Sequence, residues 1–117
     1  MKKYFHHPET FDYTRLQKLE EMVCDMVGYN TAGFHREVIT DRRKRKYCEL
    51  KGFMCLAAHD ILHYSWEAIA YYFGRTRVSA TREAQKILDY ASVYPEIAEQ
   101  VKRIYEASAK IDHPDEE

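Results

Sequence analysis

Helix-breaking residues are scarce in this chain of 117 residues, which has four glycines and three prolines. With Ala, Leu, Glu, Lys, Arg, Met and Gln spread throughout, that scarcity predicts an all-α fold rather than a sheet. The three cysteines, Cys24, Cys48 and Cys55, are odd in number and form no C-x-x-C pair, which excludes a disulfide framework and a zinc ribbon. Cys48 and Cys55, seven apart on one helix face, read as small core residues. No stretch approaches the roughly 18 apolar residues of a membrane span, and the start, MKKYFHHPETF, has no apolar signal core. A cytoplasmic protein without a membrane partner is expected. A Gly-rich phosphate loop, a G-x-S-x-G elbow and a G-x-G-x-x-G turn are also missing, so neither ATP hydrolysis nor a nucleotide cofactor is expected.

What is present suits one folded domain over residues 1–117, with tails at about 1–9 and 112–117: 45% hydrophobic, 32% charged and 14% aromatic residues. The formal net charge of -1 conceals a division. Residues 35–86 hold eleven Lys or Arg against six Asp or Glu, a balance of +5, and the remainder carries -6. The centre of the chain is basic and its ends are acidic.

Apolar spacing divides the chain into five to six helices. Thr10 is a candidate N-cap for a first helix bearing Leu16, Leu19, Val23, Met26 and Val27, which Gly28 stops. Thr31 is a candidate cap for a short second helix with Phe34, Val38 and Ile39. The run DRRKRK then reads as a basic loop or a helix start. Leu50, Met54, Ala57, Ala58, Ile61 and Leu62 mark a buried helix over 47–62, which Gly52 weakens locally. Ser65 caps WEAIAYYF, with Trp66, Ile69, Ala70 and Phe73 inward and Gly74 as the stop. Thr76 or Arg77 opens a longer helix with Val78, Thr81, Ala84, Ile87, Leu88 and Ala91 on one side. Pro95 suits the first position of a last helix carrying Ile97, Val101, Ile104, Ala107 and Ile111.

The pair His59 and His63 in HDILH is one methylene short of the zinc-protease signature H-E-x-x-H. A hydrolase there needs a third ligand and a glutamate that reaches the bound water, and Asp60 is too short. Both histidines are better explained by the negative end of a helix dipole, and no metal is expected. His6, His7 and His113 read as polar residues of the tails. The ten tyrosines fall at helical spacing, so packing explains them better than stacking on single-stranded bases. Tyr71 and Tyr72 are expected to seal the bundle.

The unit that carries chemistry spans residues 47–91: a buried helix, a short helix, the connection GRT and a longer helix, the order of a helix-turn-helix. In that motif the second helix offers its N-terminal side chains to base edges in the major groove. Here they are Arg75, Thr76, Arg77, Ser79 and Arg82. Arginine forks onto guanine or grips phosphate, Ser79 can bond either, and the helix N-terminus adds N–H groups for a phosphate. Arg42, Arg43, Lys44, Arg45 and Lys46 place five cations in five residues, which repel one another unless a polyanion is near. Lys51 joins them as a candidate phosphate contact. The expected partner is double-stranded DNA, with the run on the backbone or in a minor groove and the helix in the adjacent major groove.

On these residues a family resemblance can be stated. LQKLEEMVCDMV, VITDRRKRK, SWEAIAYYFG, an Ala-x-Lys-Ile helix and PEIAEQVKRI follow, over residues 15–105, the order of the C-terminal DNA-binding domain of the bacterial replication initiator DnaA. Ser65, Ile69, Phe73, Gly74 and Ala84 match its motifs, as do Arg42 and Lys44 in the basic loop. The resemblance implies a small helical bundle of the DnaA C-terminal or Trp-repressor-like kind and duplex DNA binding in replication initiation or its regulation. Where that family has Asp-His-Thr-Thr, this chain has Arg77, Val78, Ser79 and Ala80, so different base-reading chemistry is expected. The AAA+ module is missing from the sequence, as in a free-standing domain such as a phage or mobile element carries. A transcriptional regulator, or an interaction module that no longer binds DNA, is the competing reading of the same scaffold.

Overall fold

The computed structural model describes residues 12–40 and 45–112. The described residues form six helices: α1 (Thr14–Val27), α2 (Thr31–Thr40), α3 (Arg45–Asp60), α4 (Trp66–Tyr72), α5 (Arg77–Ala91) and α6 (Pro95–Asp112). The all-helical bundle expected from composition is what forms, with no strand among the described residues.

Local chemistry sets the helix ends. Thr10 lies outside the described residues; at the start of α1 the Asp12 carboxylate instead accepts from the Thr14 amide at 3.0 Å and the Thr14 hydroxyl at 2.7 Å. Gly28 ends α1 in the left-handed region, φ 82°, where a side chain is strained. The cap of α2 is Asn30 rather than Thr31, its side-chain oxygen accepting from the Gly33 amide at 2.8 Å. Ser65 Oγ accepts from the Ala68 amide and Thr76 Oγ1 from the Ser79 amide, capping α4 and α5 as expected. Gly74, φ 65°, lies in the turn between them, and Pro95 opens α6.

Helix α3 is the axis of the core and packs against each of the other five helices, most extensively α5. Residues 50–58 are buried without interruption. Leu16, Leu19 and Val23 of α1, Ile69 and Phe73 around α4, Ala80, Ala84 and Ile87 of α5 and Ile104 of α6 close on it. Two expectations need correction. Helix α3 ends at Asp60, so Ile61 and Leu62 belong to the following turn, although Leu62 is fully buried. In α5 the buried stripe is Ala80, Ala84 and Ile87, whereas Val78 is 62% exposed and Leu88 is 41% exposed. The tight approach of α3 selects that face, because a Cβ on Gly52 would stand 2.7 Å from Ile87 Cγ1 and 2.9 Å from the Glu83 backbone oxygen. Gly52 is therefore a contact point between helices rather than a weak link.

Candidate nucleic-acid interface

The α4–turn–α5 unit is tied to the bundle by a buried polar cluster. Glu20 of α1 is 2% exposed, and its two carboxylate oxygens are shared out: Tyr72 donates its hydroxyl to one at 2.6 Å, and His35 Nδ1 of α2 meets the other at 2.7 Å. Burial and the Glu20 carboxylate push the Tyr72 hydroxyl far above its ordinary pKa. His35 also meets the Tyr72 ring edge-on, with centroids 4.8 Å apart. Tyr71, by contrast, is 53% exposed and stacks on Tyr13 at 6.1 Å, so of the two tyrosines Tyr72 does the sealing.

The N-terminal end of α5 is open to solvent. Thr76, Arg77, Val78, Thr81, Arg82 and Gln85 are exposed, and Arg75 and Ser79 are half-buried. Arg77, Val78, Thr81, Arg82 and Gln85 line one shallow outward concavity. That face offers guanidinium, amide and hydroxyl donors beside an apolar Val78, and the first α5 carboxylate beside it is Asp89, which accepts from Gln85 at 3.1 Å. Arg77 also donates to Glu67 of α4 at 3.1 Å, both side chains being more than half exposed.

A second cleft, about 530 Å³, lies behind the helix tip and is lined by Gly74, Arg75, Thr76, Ser79 and Glu83. Of that lining, Glu83 is met by Lys51 of α3. This lysine corrects the expectation of a phosphate contact: it is fully buried, with Nζ 2.8 Å from Glu83 Oε1 at an angle short of a hydrogen bond. Desolvation lowers its pKa, the Glu83 carboxylate opposes that, and the Arg75 guanidinium adds to the lowering. Arg75 Nε is buried without a hydrogen-bond partner. Spacing could not distinguish this lysine from a surface one, because its partner lies 32 positions along the chain.

Arg42, Arg43 and Lys44 lie outside the described residues. Arg45 and Lys46 fall in the first turn of α3, with side chains outside the described set, so the end of the basic run is a helix start. Cations there oppose the positive end of the helix dipole. Lys46 is five residues before Lys51, about 7.5 Å along the axis, so the run ends within a turn and a half of the Lys51 cluster.

His59 stacks on Trp66 with centroids 4.1 Å apart, and its Nδ1 lies 3.1 Å from the Tyr64 carbonyl oxygen. His63 occupies the turn at φ 64°. Asp60 accepts from the Tyr105 hydroxyl at 2.6 Å. No group of three or more His, Cys, Asp or Glu able to hold a metal occurs among the described residues. Cys24 and Cys55 are buried free thiols, pushed up to about 11 and about 12 mainly by desolvation, whereas the Cys48 side chain is outside the described set. No helix among the described residues is long and apolar enough to cross a membrane.

Comparison with protein-family models, with curated proteins and with solved structures finds no match for this chain.

Proposed function

We propose that the protein binds double-stranded DNA through a helix-turn-helix, with α5 as the recognition helix, in the manner of the DnaA C-terminal domain that it resembles. The observation that carries this reading is the solvent-exposed N-terminal part of α5, where Arg77, Val78, Thr81, Arg82 and Gln85 share an outward face that no α5 carboxylate lines, Glu67 of α4 being paired with Arg77. Arginine and glutamine there can pair with purine edges, and Val78 and the Thr81 methyl can pack on a thymine methyl. Arg75, Thr76 and Ser79 flank the tip and take backbone phosphate. Arg42, Arg43, Lys44, Arg45 and Lys46 supply a second set of phosphate or minor-groove contacts. Replication initiation or its regulation is the role that the resemblance favours. Base preference differs from that of the family, because Arg77, Val78, Ser79 and Ala80 stand where it has Asp-His-Thr-Thr.

Binding to random-sequence duplex DNA, measured by fluorescence anisotropy over a salt series, tests the reading. With about five phosphates neutralised, the log-log slope of affinity on salt is expected near -4 to -5. A flat slope, or no binding at low salt, would sink it and leave the scaffold as a protein-interaction module.

A further inference from the structure

Beneath the tip of α5, a buried lysine meets a carboxylate beside a cleft that an arginine also lines. Lys51 Nζ is 2.8 Å from Glu83 Oε1, the Arg75 guanidinium is near enough to Lys51 to act on it electrostatically and lines the same cleft as Glu83, yet Arg75 Nε is buried without a hydrogen-bond partner among the described residues. Glu83 reaches the cleft behind the helix tip that Gly74, Arg75, Thr76 and Ser79 line, its side chain 15% exposed. A lone carboxylate at that point would do two harmful things to a polyanion interface: repel a phosphate entering the cleft, and draw the Arg75 guanidinium into an ion pair of its own. Lys51 approaches from α3, fully buried, and answers that carboxylate from the side away from solvent. The cluster is left with one positive charge in excess, on Arg75, which lines the cleft.

We propose that Lys51 is a positioning residue for DNA binding: by neutralising Glu83 from inside the bundle, it keeps Arg75 available to a backbone phosphate in the cleft beside Thr76 and Ser79. The inference rests on the DNA-binding reading above. Its content is that a lysine with no access to DNA controls one phosphate contact. Removing the Lys51 charge alone brings the cluster from +1 to zero and releases Glu83 to capture Arg75. Removing both charges restores +1 on Arg75.

The test is anisotropy with random-sequence duplex DNA over a salt series for wild type, Lys51→Met, Glu83→Gln, the Lys51→Met/Glu83→Gln double variant, and Arg75→Ala made in both the wild-type and the Lys51→Met backgrounds, with circular dichroism and melting checking the fold. Methionine keeps the buried stem packed. Lys51→Met is expected to bind about tenfold more weakly, with a salt slope shallower by about 0.9, the loss of one phosphate contact. The double variant should return to within about twofold of wild type, and Glu83→Gln should bind no more weakly than wild type. Arg75→Ala should weaken wild type about tenfold but scarcely affect Lys51→Met, a non-additivity that a merely structural lysine would not produce. Should Lys51→Met fail to fold, the double variant and Glu83→Gln decide the matter. A folded Lys51→Met with wild-type affinity and slope overturns the proposal, as does a folded double variant that binds weakly. A double variant that cannot fold assigns the pair to packing and overturns it too. Absence of wild-type binding defeats the underlying reading instead, so the two failures are distinguishable.

Discussion

Gly52 shows how much one missing methyl group decides. Alanine in its place would gain about 1 kcal/mol of helix propensity. Its Cβ, however, would meet Ile87 Cγ1 at 2.7 Å and the Glu83 backbone oxygen at 2.9 Å. The side chain can turn, but the backbone oxygen cannot move without shifting α5. Overpacking of that kind costs about 1–3 kcal/mol. Gly52→Ala should therefore be destabilised by about 1 kcal/mol, lowering the melting temperature by a few degrees; a raised melting temperature would mean that α5 yields freely. Glu67 presents the opposite case. Its contact with Arg77 is exposed on both sides, and such pairs contribute between about 0 and 1 kcal/mol. Glu67→Gln keeps an acceptor for Arg77 and removes a negative charge beside the face proposed to read DNA. Stability should stay within about 0.5 kcal/mol, while duplex affinity rises roughly threefold at low salt. Unchanged affinity would place Glu67 away from the DNA. Neither partner of Gly52 nor the burial of Lys51 was legible in the sequence, because each depends on residues more than thirty positions away.

Among the elements, α4 is the one that cannot stand alone. Seven residues are too few for a stable helix in water, so its place depends on the Ser65 cap, on burial of Ala68, Ile69 and Ala70, and on Tyr72. The Tyr72 hydroxyl ties α4 to α1 through Glu20, a carboxylate that is 2% exposed and would otherwise lack one donor. Tyr72→Phe should cost about 1–3 kcal/mol, the cost of leaving a buried acceptor short of a donor. Amide exchange should rise first in α4, ahead of α3; uniform loss of protection would mean that the bond stabilises the bundle as a whole. Element boundaries were the most legible feature of the sequence, since Gly28, Ser65, Gly74, Thr76 and Pro95 act locally. The inward face of α5 was not. Val78, Ala84, Ile87 and Leu88 satisfy helical spacing as well as Ala80, Ala84 and Ile87 do, and only the position of α3 against Gly52 separates the two sets. The same correction turns Val78 and Thr81 outward, onto the face proposed to read DNA.

For the molecule as a whole, several weak acids kept neutral by the fold give stability a direction in pH. Cys24 and Cys55 are pushed up to about 11 and about 12 from an ordinary 9.0, and Tyr72 and Tyr105 lie well above their ordinary 10.0, desolvation being the first cause in every case. Each group, with its pKa raised on folding, contributes stability that is fully present below the unfolded value and is lost as pH rises through the folded value. Lys51 works against them. Its lowered pKa means that the unfolded chain holds that proton more tightly, so its contribution improves as pH climbs toward 10.5. Four groups outweigh one, and the balance is negative. Urea midpoints should stay level up to about pH 9 and fall steadily from there to pH 11, with a shallower fall in Tyr72→Phe, which has lost one of the four. Equal midpoints at pH 8 and pH 11 would show that these hydroxyls and thiols ionise as readily in the folded chain as in the unfolded one. The interior around α3 would then be far wetter than the packing of its thiols and the Glu20–Tyr72 pair requires.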